Sequence, residues 1–462
     1  MKRTTVALAT VGLLATATPA VASTSAIDWR PCGPPHSMEC GTIDVPAGLT
    51  LDLARLPATG ARKGTVLYAP GGPGKDGIQQ LRDSAETLAA LRRHFDVVAF
   101  DTRQTLVIRD LAGSCATALP LLAEPRDREE FDRQAARQRA AFEKCAAEDA
   151  TGLFRHADAD AVAGDMDAIR AALGERRITV ISESYGGITA AAYARRFPQR
   201  IRAMHLDGTP DHTTAELDYA VAAGERMLGR FAAWCAEDRS CALHGQDVHK
   251  VWRGLIRRVD RDPVPVSSPR FGSGHLTGMH LQTIGYGMAV NTRGDQWKPF
   301  ADAIAEAMRG DFAFFGEQVL GLSYHGTQPR AVAPWCGDGF GITSYDQYAK
   351  LRRDLDRQLP DLGRNGLWAA LMCSGWPYRP ANPPGPLPVT RLPRLLGTGT
   401  WSDFDMTDRL VRKVPGSVTI RYEGFGHVLY VSGTSRCVAD HVVRYVETLD
   451  LPPQGTVCRP GE

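Results

Sequence analysis

Between Gly64 and Asp207, short apolar runs alternate with stretches in which apolar positions recur every three or four residues. "GTVLYAP" (64–70) and "FDVVAFD" (95–101) are continuous apolar runs of strand length, each closed by a turn signal, and they predict buried strands. "DADAVAGDMDAIRAALG" (158–174) sets Ala161, Met166, Ile169 and Leu173 on one side of a helix that Gly174 stops. "RITVISES" (177–184) predicts another buried strand, "GGITAAAYARRF" (186–197) a helix ended by Pro198, and "IRAMHLDG" (201–208) a further strand. Strands and helices in alternation predict a mostly parallel sheet with helices on both faces.

Past Thr209 the rhythm changes. Helical pieces dominate as far as Pro388, interrupted by the Pro- and Gly-rich "RDPVPVSSPRFGSGHLTG" (261–278). Trp234, Trp252, Trp297, Trp335, Trp368 and Trp376 all fall here; they could line a pocket, although filling a core is the more frequent role. "RPANPPGPLPVTRLP" (379–393) reads as a linker back to the sheet, "RLLGTGT" and "SVTIRYEG" as its last strands, and the stretch from about Val438 to Leu449 as a closing helix. The expected organisation is an α/β core in two parts, 23–208 and 389–462, with a mainly helical lid at 209–388.

The first residues bear on location. Lys2 and Arg3 precede an apolar stretch, and Ala20-Val21-Ala22 has the small-x-small pattern of a cleavage site, so residues 1–22 are expected to be a signal peptide and the mature protein secreted. The apolar stretch is shorter than the ~20 residues a membrane span needs, and no membrane anchor is expected in the mature form. Without Lys2 and Arg3, 52 basic residues face 52 acidic ones, with no clustered basic excess, which argues against a nucleic-acid partner. Ten cysteines in an exported chain point to disulfides. They fall into neighbouring pairs, Cys32 and Cys40, Cys115 and Cys145, Cys235 and Cys241, Cys336 and Cys373, Cys437 and Cys458, a connectivity that spacing alone leaves open. The sequence has neither C-x-x-C nor H-E-x-x-H, so no metal is expected.

The candidate chemistry centres on "ISESYGG" (181–187). Ser184 stands on a strand-to-helix transition as in G-x-S-x-G, with Ser182 at the first glycine position. "YAPGGPGKDG" (68–77) supplies a glycine-rich turn after an earlier strand, where the Gly72 amide, with that of Tyr185, could form an oxyanion hole. A phosphate loop would need Ser or Thr after Gly-Lys, and Asp76 stands there. Late in the chain "YEGFGHVLY" offers His427 as a loop histidine, and "GTWSDFDMT" offers Asp403 or Asp405 as the acid that orients it. The order Ser–Asp–His is that of α/β-hydrolases, which sets the expected fold class: a mostly parallel sheet flanked by helices, with an inserted helical lid.

With these motifs the chain resembles the exported tripeptidyl aminopeptidases of actinomycetes, relatives of proline iminopeptidases within the α/β-hydrolase superfamily. The resemblance covers nearly the whole mature chain: "IDWRPC", "GGPG", "DMDAIRAALG…ITVISESYGG…YARRFP…MHLDG", "WCGDG", "CSGWP", "FGH" and the tail "SRCVADHVVRYVETLDLPPQGTVC". It implies Ser184 as nucleophile, His427 as general base and acid, Asp403 as its orienting acid, and Cys437–Cys458 as a terminal disulfide. It also implies a monomeric, cofactor-free enzyme acting on peptides or proteins with a free N-terminus. Ser182, Asp76, Glu183 and "DTRQTLV" (101–107) depart from the family pattern, and the spacing around Asp403 leaves Asp405 open. "SESYGG" also resembles in part the G-E-S-Y of serine carboxypeptidases, whose glutamate helps to hold a terminal carboxylate. An ionised Glu183 could instead attract a free α-amino group. Asp338, in "WCGDG", is the candidate for a second acidic, substrate-binding position. An esterase on the same triad and a catalytically silent binding protein are the other two readings.

Overall fold

The computed structural model describes residues 27–33, 37–46, 48–214, 218–290 and 294–462. The expected signal peptide lies outside the described residues. Among those described, the strands are β1 (Arg30–Pro31), β2 (Glu39–Val45), β3 (Leu49–Leu56), β4 (Gly64–Ala69), β5 (Phe95–Phe100), β6 (Ile178–Glu183), β7 (Ile201–Asp207), β8 (Val264–Ser268), β9 (Gly272–Leu276), β10 (Leu396–Gly399), β11 (Val418–Tyr422) and β12 (Val457–Cys458). One sheet holds ten of them in the order β1-β2-β3-β5-β4-β6-β7-β10-β11-β12. From β5 to β12 the pairs run parallel; β1, β2 and β3 form an antiparallel flank that joins at β5.

β4, β5 and β6 are buried along their whole length because helices cover both faces. The pleat sends Leu67, Ala69, Val98 and Phe100 toward the helices Ala159–Ala172 and Gly186–Arg196. It sends Val66, Tyr68, Val97 and Ala99 toward Leu81, Leu91 and the helix Arg436–Thr448. The chain is thus a three-layer α/β structure of the α/β-hydrolase type.

Between β7 and β10 the chain is mainly helical, with its own core around Phe231, Trp252, Phe300 and Phe315. The Pro- and Gly-rich break turns out to contain the antiparallel hairpin β8–β9. Of the six tryptophans, Trp252, Trp297, Trp368 and Trp376 fill cores. Helical residues of this lid grip the loops that follow β10 and β11. Trp297 packs edge-on against Phe425 with ring centres 4.9 Å apart, Arg230 lies 4.0 Å from the ring centre of Trp401, and Arg226 pairs with Asp405. Cysteines bond in the five neighbouring pairs that the sequence had left open. Among the described residues no helix is long and apolar enough to cross a membrane.

Candidate active site

Ser184 sits between the end of β6 and the helix Gly186–Arg196, with φ at +49°. A left-handed backbone is strained for a residue with a Cβ, and such strain persists only where the surroundings impose it. Here they do. The Ser184 N–H donates to the Asp207 carbonyl at the end of β7 (2.8 Å), and the Gly187 N–H donates to the Ser184 carbonyl (3.0 Å). The two following glycines are required by space: a Cβ on Gly186 would lie 2.2 Å from the Ala69 carbonyl oxygen, and one on Gly187 1.8 Å from Thr209 Cγ2. Ser182 is accommodated at the first glycine position because its hydroxyl donates to the His205 carbonyl (3.2 Å).

His427 Nε2 lies 2.8 Å from Ser184 Oγ, and His427 Nδ1 lies 2.7 Å from Asp403 Oδ2. The same carboxylate accepts, through Oδ1, the Thr400 N–H (2.6 Å) and the Thr400 hydroxyl (3.0 Å). Asp405 is turned away from His427, exposed and paired with Arg226. The structure therefore brings Ser184, His427 and Asp403 together and leaves Asp405 outside. Sequence reasoning missed the residue that holds the histidine loop. Asp207, fully buried, accepts the Leu429 and Tyr430 N–H groups (2.7 and 2.9 Å) and the Thr398 hydroxyl (2.7 Å). Burial raises its carboxyl to about 7 against the pull of those donors. An acid closing a buried strand just before a glycine, as in "HLDG", was the available signal. Space is again the reason for the glycine: a Cβ on Gly208 would come within 2.9 Å of Asp403 Oδ2.

Burial pulls the His427 imidazole down, but the hydrogen bond and charge of Asp403, with the charges of Asp207 and Glu183, outweigh it and leave the pKa above the ordinary 6.5. A histidine that must be neutral to accept a proton then gives an acid limb of kcat/KM above pH 6.5. In Asp403→Asn the two largest raising contributions disappear, so that limb should shift to lower pH while kcat falls by about 10³–10⁴. Asp405→Asn should change kcat less than about twofold, since it loses only an exposed ion pair. pH–rate profiles of the two variants check this, and equal losses would refute the assignment.

The glycine turn faces the serine at close range. A Cβ on Gly71 would lie 2.9 Å from Ser184 Cβ, so Gly71 makes the contact while Gly72, at φ +114°, turns the chain. Among the described residues no acceptor is bonded to the Gly72 or Tyr185 amide N–H. The turn is braced from behind by "DTRQTLV", which folds into the helix Arg103–Asp110. Thr105 donates its hydroxyl to the Lys75 carbonyl (2.9 Å), and Arg103 forms a buried two-bond pair with Asp165 (2.6 and 2.8 Å). This departure from the family pattern is a brace.

The two expected substrate-binding acids are placed otherwise than their sequence context suggested. Glu183 is 1% exposed, and its Oε1 accepts from the half-exposed Lys75 ammonium (3.0 Å). Its carboxylate is thus already matched by a cation and is not open to a substrate amine. Asp338 is 0% exposed; its carboxylate accepts from Tyr185 Oη, the Ala159 N–H and Asn382 Nδ2. Enclosed by these partners, it is not open to a ligand. The causes differ: Glu183 closes the strand already predicted to be buried, whereas Asp338 lies between glycines and is buried only by the packing of distant segments.

Residues 64–274 match the family model for the α/β hydrolase fold, and residues 359–458 match that for TAP-like protein. The chain is 28% identical to serine protease Hip1 of Mycobacterium tuberculosis, covering 94% of this chain and 91% of that one. It is 24% identical to the tripeptidyl aminopeptidase of Streptomyces lividans, covering 95% and 88%. It is 27% identical to a protein of Mycobacterium tuberculosis named carboxylesterase B, covering 92% and 87%.

Proposed function

The chain is a hydrolytic enzyme of the α/β-hydrolase family with a TAP-like C-terminal region, and from that premise we propose that it is a secreted serine exopeptidase that releases short peptides, chiefly tripeptides, from free N-termini. The observation that carries the chemistry is the Ser184–His427–Asp403 chain of contacts at 2.8 and 2.7 Å. Ser184 Oγ attacks the scissile carbonyl as His427 Nε2 takes its proton. The oxyanion forms against the Gly72 and Tyr185 amides, whose N–H groups have no protein acceptor among the described residues. His427 then protonates the leaving amine; water, deprotonated by the same imidazole, attacks the acyl-enzyme and releases the N-terminal fragment. Asp403 keeps the imidazole in the tautomer that presents Nε2 to the serine.

Peptides as substrates follow from the relatives named as peptidases. Action at a free terminus is supported by the relative named tripeptidyl aminopeptidase. The exopeptidase reading is tested with tripeptide anilides, amine-free against amine-blocked, with Ser184→Ala as control. A requirement for a free terminus should make amine-free substrates at least about tenfold faster than blocked ones. Equal rates would remove the free-terminus requirement. The relative named carboxylesterase B favours a second reading, an esterase on the same triad. Turnover of short acyl esters with none of the anilides would select it.

A further inference from the structure

Asp338 is fully buried behind the elbow, and its partners come from four parts of the chain. Oδ1 accepts the Ala159 N–H (2.7 Å), in the first turn of the fourteen-residue helix Ala159–Ala172, and Asn382 Nδ2 (2.7 Å). Oδ2 accepts the Tyr185 hydroxyl (2.5 Å). The Asp338 main-chain carbonyl accepts from His212 Nε2 (2.8 Å). The donors are themselves fixed: Arg195 binds the Asn382 carbonyl oxygen and so turns its amide nitrogen toward Asp338. Burial lowers the His212 ring to about 4, which keeps it neutral.

The Tyr185 ring is held by the same short segment. Trp335 meets it edge-on with ring centres 4.8 Å apart, and Phe340 lies 6.4 Å away, so residues 335–340 supply both the walls around the ring and the acceptor for its hydroxyl. Cys336, bonded to Cys373, ties that segment, itself part of the lid, to a later stretch of the lid. Tyr185 is also the residue whose main-chain N–H directly follows the serine. A carboxylate this deep is an expensive way to fill space, and an apolar side chain would do so at lower cost. What it adds is direction, because three donors converge on it with one geometry.

We propose that Asp338 is a positioning residue for acyl transfer: by gripping the Tyr185 phenol it fixes the main-chain amide beside Ser184, and it makes the shape of the oxyanion site depend on the seating of the lid. This rests on the reading of Ser184 as nucleophile. Asp338 touches no reacting atom and acts only through Tyr185.

The test uses Tyr185→Phe, which keeps the ring against Trp335 and removes only the hydroxyl, with Asp338→Asn and the double variant. The rate at which a fluorophosphonate labels Ser184, and kcat on the substrate in use, should fall about tenfold in Tyr185→Phe while KM stays within about twofold, the pattern of an interaction expressed in the transition state. The double variant should be no slower than the slower single, because both changes cut one connection. A role confined to stability would lower Tm and leave labelling rate and kcat of the folded protein at wild-type values, and that result overturns the proposal. Penalties that multiply independently overturn it too. Should Asp338→Asn fail to fold, Tyr185→Phe alone decides. Wild-type protein that resists labelling would overturn the nucleophile assignment instead, so the two failures are separable.

Discussion

Ser184→Ala should lower kcat by about 10⁵–10⁶ while leaving the fold intact. The alanine Cβ keeps every backbone constraint on the elbow: the left-handed φ of +49°, the N–H bonded to the Asp207 carbonyl and the contact with Gly71. Only the hydroxyl is lost, and with it the 2.8 Å hydrogen bond to His427 Nε2. Since both partners of that bond are only partly buried, Tm should move by no more than about 2 °C. Fluorophosphonate labelling should vanish in parallel with turnover. Residual turnover above about 1% of wild type would mean that another group carries the chemistry.

Gly186→Ala should also have a large effect, of a different kind. Its Cβ would be driven to 2.2 Å from the Ala69 carbonyl oxygen and 2.6 Å from that of Pro70. Both are main-chain atoms at the end of β4, in the turn that approaches the serine, and neither can rotate away. Either the elbow or the turn must move, at a cost of about 3 kcal/mol or more. Because the expected oxyanion amides sit one on each side of that contact, Tm and kcat should fall together, kcat by about 10² or more. Wild-type Tm and kcat in this variant would show that the two backbones are not as close as described. Gly187→Ala should be harmful too, since its Cβ would lie 2.6 Å from Thr209 Cβ, an atom that side-chain rotation does not move.

The sheet strands nearest the site were legible because they are buried on both faces and so read as unbroken apolar runs; β4, β5, β6 and β7 match their predicted stretches to within two residues. β2 and β3 were not, because "ECGTIDV" and "LTLDLARL" alternate buried with exposed positions on the antiparallel flank, and threonines and aspartates occupy the exposed ones. The β8–β9 hairpin hid behind Pro263, Pro265 and three glycines, which read as punctuation. Within the site, Ser184 and His427 were visible through motif and order. The choice between Asp403 and Asp405 was not, because both follow β10 within a turn and only the direction of the helix beginning at Phe404 decides which one faces inward. Asp338 was misread because its burial depends on partners far away in sequence, Ala159, Tyr185 and Asn382; Glu183 closes a strand read as buried, and only its pairing with Lys75 was out of sight.

The place of the lid in the chain has a consequence in time. β7 and β10 are neighbours in the sheet, His205 beside Leu396, yet the whole lid lies between them in sequence. Ser184 is made before the lid; Asp403 and His427 come after it. A nascent chain that has reached the lid already contains its serine and the strands that present it, but neither the base nor the acid. Only when β10 docks alongside β7, and Asp207 takes hold of the Leu429 and Tyr430 amides, does that serine acquire a partner able to remove its proton. Competence thus comes only after the whole lid has been made.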